Sequence, residues 1–321
     1  MPDPVLALDL GGTKIRAALV HGAGADDAAR PAPPRLDRVA EVPTPATVGP
    51  AAILGAAAEL AEQVRAGAQV QAVGLSSAGV IDSDRGRVSH ATDSLTGWAG
   101  TDLLTPLADR FGVPVSALND VHAHGLGEAR FGAGRDRASL LLVAVGTGIG
   151  GCHVLDGRAV LGSHGAAGHV GHMPVPEAEG VPCPCGRMGH LEGLASGPGI
   201  LQLASRLGAD PALTGGRALA AAANAGDTAA REAYRIAGLA TGRVIGALLN
   251  VLDPEVVALT GGVHGAGAPW RDAVNAGIAQ EAMDVVAATP VLPASAGEHA
   301  ALLGAAARAL DDLAAPVATL P

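Results

Sequence analysis

The chain has 321 residues; 49% of them are hydrophobic, only 2% are aromatic, and the formal net charge at pH 7 is −10. This length suffices for two domains with a large core, and the acidic charge disfavours a nucleic-acid partner, which requires a basic face. Three cysteines do not suggest a disulfide framework, and the sequence shows neither a signal-peptide pattern nor an uncharged apolar span of membrane length without several glycines, so we expect a cytoplasmic protein with no membrane partner.

Two hairpins with glycine-rich turns organise the predicted elements. The first glycine turn, Gly11-Gly12-Thr13-Lys14, joins the strands Val5–Leu10 and Ile15–Val20. The second glycine turn, Gly146-Thr147-Gly148-Ile149-Gly150, lies between the strands Leu140–Val145 and Cys152–Val154. This repetition predicts two related halves that face each other.

Further strands and helices alternate around the hairpins. The predicted strands are Val70–Ser76, Val113–Leu118 and Val256–Leu259, and the predicted helices are Ala51–Ala66, Leu103–Phe111, Val121–Phe131, Leu194–Leu207, Thr228–Leu249 and Ala300–Leu313. Alternation of this kind indicates an α/β fold. We place the domain boundary near Asn119, where a strand ends in two polar residues.

Both glycine turns have features of a phosphate site. Backbone N–H groups in such turns can bind phosphate oxygens; Asp9 precedes the first turn, and Lys14 within it is the only lysine of the chain. Each turn alone could equally be a hairpin that requires glycine for steric reasons. Two facing turns together favour a clamp for the phosphates of a nucleotide.

Polar or small residues follow two other strands. Asp120 could accept a proton from a substrate hydroxyl while Asn119 binds a neighbouring one, because α/β sheets hold ligands at this edge; a helix cap is an equal alternative. Thr260-Gly261-Gly262 could let a flat ring or a ribose approach the backbone, or could be a plain strand-to-helix turn.

A group of soft ligands lies close together in the sequence. His172, Cys183, Cys185 and His190 provide the nitrogen and sulfur atoms that a tetrahedral zinc site uses. Glycines around them allow the tight folding that convergence requires. The alternative is a loop of packed imidazoles and buried thiols, but the proline and glycine around Cys-x-Cys are typical of a zinc knuckle.

In sequence order these motifs resemble the ROK family of sugar kinases and sugar-responsive repressors, within the actin-like ATPase superfamily. The resemblance extends from Leu6 to about Ala306 and rests on five motifs, namely Asp9-Leu10-Gly11-Gly12-Thr13-Lys14, Ser77-Ala78-Gly79-Val80, Asn119-Asp120, the second glycine turn, and the block with His172, Cys183, Cys185 and Glu192. It implies two actin-like (ribonuclease H-like) domains flanking an ATP/sugar cleft, with a small zinc knuckle. Residues 1–118, closed by helix 300–314, would form the first domain, and residues 119–299, with the zinc motif and a dimer surface, the second.

The resemblance also implies a role for each motif in an ATP-dependent sugar kinase that uses Mg²⁺ and a structural Zn²⁺. Asp120 would be the general base for the sugar's 6-hydroxyl, and Asp9 would help to place the Mg²⁺. The nucleotide would contact Gly11, Gly12, Thr13, Lys14, Gly146, Thr147, Gly148, Gly150, Thr260, Gly261 and Gly262. The sugar would contact Gly79, Thr92, Asn119, Asp120, His169, His172 and Glu192, and the zinc would bind His172, Cys183, Cys185 and His190.

Two positions depart from the usual family pattern. His190 stands where members usually have a third cysteine, and an imidazole can replace a thiolate in a tetrahedral zinc site. His169 stands where glucokinases usually carry glutamate, which resembles the bacterial N-acetylmannosamine kinases, as does His90-Ala91-Thr92 before Trp98. Because a carboxylate and an imidazole prefer different groups at the sugar C2, we predict N-acetylmannosamine as the substrate, with glucose as the alternative.

A non-catalytic, sugar-sensing regulator is the alternative from another functional class. Repressors of this family place a helix-turn-helix domain before the first hairpin, whereas here Asp9 lies close to the N-terminus. We therefore expect an enzyme that binds a small sugar and ATP. The family also implies a homodimer.

Overall fold

Strands and helices alternate along the chain in the computed structural model, which describes residues 2–24, 34–82, 85–92 and 94–315. The strands are β1 (Val5–Leu10), β2 (Lys14–His21), β3 (Arg35–Pro43), β4 (Ala72–Ser77), β5 (Val80–Asp82), β6 (Arg87–His90), β7 (Val115–Asn119), β8 (Ser139–Val145), β9 (Ile149–Leu155), β10 (Arg158–Ala159), β11 (Val257–Thr260) and β12 (Val291–Pro293). The helices are α1 (Pro50–Arg65), α2 (Thr105–Phe111), α3 (Asp120–Phe131), α4 (Leu191–Ala195), α5 (Gly197–Arg206), α6 (Gly216–Ala225), α7 (Thr228–Leu252), α8 (Ala268–Glu281) and α9 (Ala300–Ala314).

Two five-stranded sheets repeat one arrangement. Their strand orders are β3-β2-β1-β4-β7 and β10-β9-β8-β11-β12. In each, the first strand of a hairpin, β1 or β8, pairs in parallel with a later strand, β4 or β11. The prediction of an α/β fold with two related halves is confirmed, and each glycine turn leads directly into a strand.

The contacts divide the described chain into two units. The first contains the residues up to Asp136, Val154–Ala167 and the residues from Ser295 onward; the second contains Arg137–His153 and Gly168–Ala294. This division differs from the sequence-based one, which assigned residues 119–136 and 154–167 to the second domain. The reason for the first difference is that α3 packs against α9 in the first unit.

The packing of strand β1 explains why its sequence is apolar apart from Asp9. Leu6 and Leu8 belong to a core with Ile53 of α1, whereas Val5 and Ala7 belong to a second core with Leu302 of α9. Because side chains alternate along a strand, both faces of this sheet are covered by helices. Buried strands of this kind are apolar in sequence without alternation.

The longest helix, α7, lies in the core of the second unit. By length and composition alone Thr228–Leu252 could span a membrane, but half of its most apolar window is buried inside the protein. It packs against α5, α6 and α8. Its apolar composition therefore reflects packing within the unit.

One predicted helix, Leu194–Leu207, is wrong as a single element. The structure ends α4 at Ala195 and begins α5 at Gly197. Proline cannot donate to the preceding turn of a helix but is tolerated in the first turn, so the helix breaks at Ser196 and Pro198 lies in the first turn of α5. The Ser196 hydroxyl caps the new helix by accepting a hydrogen bond from the Gly199 amide at 3.3 Å.

Helices α3 and α9 approach each other through two glycines. A Cβ atom at Gly127 would lie 2.1 Å from the Ala300 carbonyl oxygen, and one at Gly304 would lie 1.8 Å from the Ala123 carbonyl oxygen. Since no side chain fits at either position, α3 lies directly on the backbone of α9. This close packing fixes the helix that begins with Asp120.

We expect Gly304→Ala to lower the free energy of unfolding by about 1–3 kcal/mol, the usual range for overpacking a well-packed site. The matched control is Gly55→Ala in α1, where a Cβ atom meets nothing within 4 Å and alanine is the better helix former. Urea unfolding of both variants measures the difference. Equal stabilities would contradict the close approach of α3 and α9.

Candidate active site

The ends of three neighbouring strands bring the predicted residues of the first unit together. In the β1-β4-β7 part of the sheet, Leu10 pairs with Ser77, which pairs with Asn119. Asp9 and Asp120 therefore lie at the same sheet edge. The electrostatics agree that the two carboxylates are close, because the negative charge of Asp9 contributes to raising the pKa of Asp120.

Asp9 is a half-buried carboxylate at the end of β1. It accepts a hydrogen bond from the Ser76 hydroxyl at 2.7 Å. Burial raises the pKa of Asp9, opposed by this hydrogen bond and by the positive charge of Arg16. The sequence did not predict the role of Ser76; the only signal was the pair Ser76-Ser77 at the end of the otherwise apolar strand β4.

Hydrogen bonds from Thr44 hold the backbone of the first glycine turn, and the turn is open at Gly12. The Thr44 hydroxyl donates to the Gly11 carbonyl at 2.7 Å, and the Thr44 amide donates to the Thr13 carbonyl at 3.0 Å. A Cβ atom at Gly12 would meet nothing within 4 Å. Gly12 and Thr13 are exposed, as a turn that receives phosphate oxygens requires.

The structure gives Lys14 a partner that the sequence did not indicate. Its Nζ lies 3.0 Å from Glu41 Oε2 on β3, and both side chains are about half exposed, 44% and 56%. Exposed ion pairs of this kind stabilise proteins by at most about 1 kcal/mol. Lys14 can therefore leave Glu41 for a phosphate at little cost.

Asn119, and not Asp120, caps α3. Its side-chain oxygen accepts hydrogen bonds from the amides of Val121 at 3.0 Å and His122 at 3.3 Å. Its side-chain nitrogen donates to the Gly79 carbonyl at 2.8 Å. Gly79 has a φ of +96° and leaves no room for a Cβ atom beside His90, so Asn119 and Gly79 form a fixed support next to Asp120.

Asp120 begins α3 as a half-buried carboxylate. Burial raises the pKa of Asp120 to about 6, opposed by the Val121 amide, which donates to Oδ1 at 2.9 Å. A general base works best with a pKa near the operating pH. Asn119 thus takes the role of the helix cap. The Asp120 carboxylate is left available to act as a base.

We expect kcat/KM for the sugar to fall about tenfold per pH unit below pH 6, and to level off above pH 7. The sign follows from the role of a base, since the carboxyl must be deprotonated to accept a proton and burial raises its pKa to about 6. A pH–rate profile measures this limb. An acid limb centred near pH 4, the range of an ordinary aspartate, would contradict the perturbed base.

In the second unit, the second glycine turn lies beside the Thr260-Gly261-Gly262 turn. Thr260 pairs with Ala144 at the end of β8, and a Cβ atom at Gly261 would lie 2.3 Å from the Val145 carbonyl oxygen. Gly261 also has a φ of +93°, so a larger residue is excluded. Gly262 faces open space, and Thr147 is exposed.

Glu192, predicted to bind sugar, contacts the second glycine turn. Its Oε2 accepts a hydrogen bond from the Ile149 amide at 2.7 Å. Glu192 is the second residue of α4, and only Leu191 separates it from His190. Sequence analysis did not predict this contact, because 43 residues separate the two partners.

A small hairpin brings the soft ligands together. Pro182 bridges Met188, and Pro174 bridges His190, so that the chain doubles back twice. Gly186 and Gly189 have φ values of +84° and +83°, which only glycine adopts readily. The glycines that the sequence predicted to allow tight folding thus form the turns between the ligands.

The ligand atoms of His172, Cys183, Cys185 and His190 all lie within 4.8 Å of one another. His172 Nδ1 lies 3.5 Å from Cys183 Sγ, and His190 Nδ1 lies 3.2 Å from Cys185 Sγ. A tetrahedral zinc would set such atoms about 3.3–3.8 Å apart. These distances are compatible with a zinc ion, and His190 belongs to the same four-residue group.

The remaining predicted sugar residues differ in their surroundings. The rings of His169 and His172 stack with centroids 6.1 Å apart and an interplanar angle of 20°. Both are half-buried. Thr92 is exposed, and its hydroxyl lies 3.0 Å from that of Ser94.

Comparison with known proteins decides the family. A family model described as the ROK family matches residues 5–312. The chain belongs to the ROK family.

Similar ROK proteins include named enzymes and a solved structure. The glucokinase of Halalkalibacterium halodurans is 32% identical over 82% of this chain and 81% of its own length. The N-acetylmannosamine kinase of Shigella boydii serotype 18 is 33% identical over 94% of this chain and 96% of its own length. The crystal structure of a ROK hexokinase from Thermus thermophilus superposes with a TM-score of 0.84 at 33% identity, covering 97% and 99% of the two chains.

The predicted reaction class is confirmed by this membership. The chain is an ATP-dependent sugar kinase of the ROK family. Sugar kinases of this kind use ATP with Mg²⁺. Asp9 fits that ion, because Mg²⁺ in such sites takes one or two carboxylates and the substrate phosphates.

Proposed function

We propose that this ROK kinase transfers the γ-phosphoryl group of ATP to the 6-hydroxyl of N-acetylmannosamine. Asp120 accepts the hydroxyl proton as the oxygen forms its bond to phosphorus, and ADP leaves. The observation that carries the proposal is Asp120 itself, a half-buried carboxylate at the start of α3 whose pKa is raised to about 6. Its neighbour Asn119 takes the capping role, which leaves Asp120 to act as the base.

The two glycine turns and the Thr260-Gly261-Gly262 turn bind the nucleotide in this proposal. Open positions at Gly12 and Gly262 support the approach of phosphate oxygens and of the adenosine. When bound, Mg²⁺ neutralises charge on the transferring phosphoryl group. Asp9 would hold the ion, with its carboxylate oriented by Ser76.

The metal cluster holds a structural zinc in this proposal. Four protein ligands leave no open position for a catalytic water. The ion would fix His172 and, through His190, the start of α4 with Glu192. Zinc thereby supports the residues that we assign to sugar recognition, namely His169, His172 and Glu192.

The choice of N-acetylmannosamine rests on His169. Its imidazole is stacked on His172, so its position is defined by the metal ligand beneath it. An imidazole can donate a hydrogen bond to an acetamide oxygen, which an ionised carboxylate cannot. Glucose is the second candidate, because relatives about equally similar to this chain are named glucokinases.

The substitution His169→Glu tests this choice. We expect the ratio of kcat/KM for N-acetylmannosamine to that for glucose to fall at least roughly tenfold, the scale of a lost or gained polar contact. Initial rates of ADP release with both sugars give the ratio. The matched control is His164→Glu, the same change at an exposed position, which should leave the ratio as it is. A ratio unchanged by His169→Glu would contradict the role of His169.

We further propose that the enzyme acts as a homodimer in the cytoplasm. No disulfide joins the three cysteines, all of which lie in the described part of the chain, as expected in a reducing compartment. The dimer rests on family resemblance, and light scattering of the purified protein tests it. A non-catalytic regulator is the less favoured alternative, because Asp120 and both glycine turns are present.

A further inference from the structure

Helix α4 and the first residue of α5 contact the second glycine turn at its two ends. Near the start of α4, Glu192 Oε2 accepts a hydrogen bond from the Ile149 amide at 2.7 Å. Just beyond its end, the Gly197 amide donates to the Gly146 carbonyl at 2.7 Å. The turn closes on itself between these points, since the Gly146 amide donates to the Gly148 carbonyl at 2.9 Å.

The helices α4 and α5 fit closely against the turn at these contacts. A Cβ atom at Gly148 would lie 2.9 Å from Glu192 Oε2, and one at Gly197 would lie 3.3 Å from the Gly146 carbonyl oxygen. Neither glycine has a positive φ. A larger residue at either position would therefore press on the Glu192 carboxylate or on the Gly146 backbone, and the carboxylate of Glu192 is part of the turn's support.

We infer that Glu192 is a positioning residue for the nucleotide-binding turn, in addition to its proposed contact with the sugar. The inference rests on the proposed function, which places ATP phosphates on this turn. Backbone N–H groups bind a phosphate well only when their directions are fixed beforehand. A hydrogen bond from an amide to a carboxylate is about twice as strong as one between neutral groups, so Glu192 holds the Ile149 amide and, with it, the turn.

The group of four metal-ligating residues is connected to the helix that supports the second glycine turn. His190 is the residue immediately before α4, and only one residue, Leu191, separates it from Glu192. The Leu191 amide donates to the Met173 carbonyl at 3.0 Å, next to His172. A metal ion bound by these four residues would therefore also order the start of α4 and the Glu192 carboxylate that contacts the turn.

Calorimetric titration with Mg²⁺–ADP, in the absence of sugar, separates this role from sugar binding. We expect Glu192→Ala to raise the Kd for ADP about tenfold, the loss of one hydrogen bond to a charged group. Glu192→Gln keeps a side-chain oxygen for the Ile149 amide and should stay within about threefold of wild type. Hydrogen exchange of the Ile149 amide should become faster in the alanine variant and not in the glutamine variant.

The control is His169→Ala, which alters a proposed sugar residue and leaves Glu192 and the Ile149 amide unchanged. It should weaken sugar binding and leave the Kd for ADP unchanged. The inference is overturned if Glu192→Ala binds ADP as wild type does, or if Ile149 exchange is unaffected. Wild-type protein that binds no ADP contradicts the proposed function itself, and so the two failures are distinguishable.

Discussion

Asp120→Asn should lower kcat by about 10²–10⁴-fold, the usual contribution of a positioned general base. Asparagine keeps the size of the side chain and can still bond to a sugar hydroxyl, but it cannot accept the proton. The Kd for the sugar, measured by calorimetry without nucleotide, should therefore change little. Steady-state ADP release gives kcat.

The control is Asp109→Asn on α2, the same chemical change at an exposed position. It should retain wild-type kcat. If Asp120→Asn turns over at a rate close to wild type, Asp120 is not the base. The acid limb of the pH–rate profile, which we assign to the same carboxyl, would then need another origin.

Removal of the metal should have the second largest effect. Cys183 is buried, with its sulfur 3.5 Å from His172 Nδ1. We expect Cys183→Ser to lose bound zinc and to reduce kcat/KM roughly 10–100-fold. This is the usual loss of activity when residues around a metal site are substituted. Structural zinc also contributes to folding, so the melting temperature should fall in parallel, as it should on chelation.

Cys152→Ser provides the matched control. Cys152 is buried on β9, outside the four-residue cluster, and burial raises the pKa of its thiol to about 12. This variant should keep one zinc per chain in elemental analysis. Wild-type protein without zinc, or a Cys183→Ser variant with unchanged zinc content, would contradict the metal assignment.

The sequence predicted those parts of the site that depend on near neighbours in the chain. The four soft ligands lie within a short segment, and the glycines and prolines between them restrict the backbone to tight turns. Their convergence within 4.8 Å follows from this local geometry. The glycine turns were predictable for the same reason, because each lies between two apolar strands.

Contacts between distant segments could not be predicted in this way. Lys14 pairs with Glu41 on β3, a strand whose mixed composition gave no clear signal. Glu192 reaches Ile149 only through the packing of α4 on the second hairpin. Spacing along the chain contains no information about such pairs.

The neighbours Asn119 and Asp120 show what side-chain geometry adds. Both residue types can cap a helix, so the sequence left cap and base as equal alternatives for Asp120. The structure assigns the cap to Asn119, whose oxygen accepts the Val121 and His122 amides, and the role of Asp120 as the base stays a prediction. The raised pKa of Asp120 likewise comes from its burial, with a contribution from Asp9, which lies far away in the chain.

The most direct test of the central claim is the purified enzyme's kcat/KM for N-acetylmannosamine, glucose and N-acetylglucosamine, with the phosphorylated carbon of each product identified by NMR. We expect N-acetylmannosamine to be preferred by roughly tenfold or more and the phosphate to be on the 6-oxygen. A preference for glucose would contradict the assigned substrate. No ADP release with any of the three sugars, or phosphate on another oxygen, would contradict the proposed reaction.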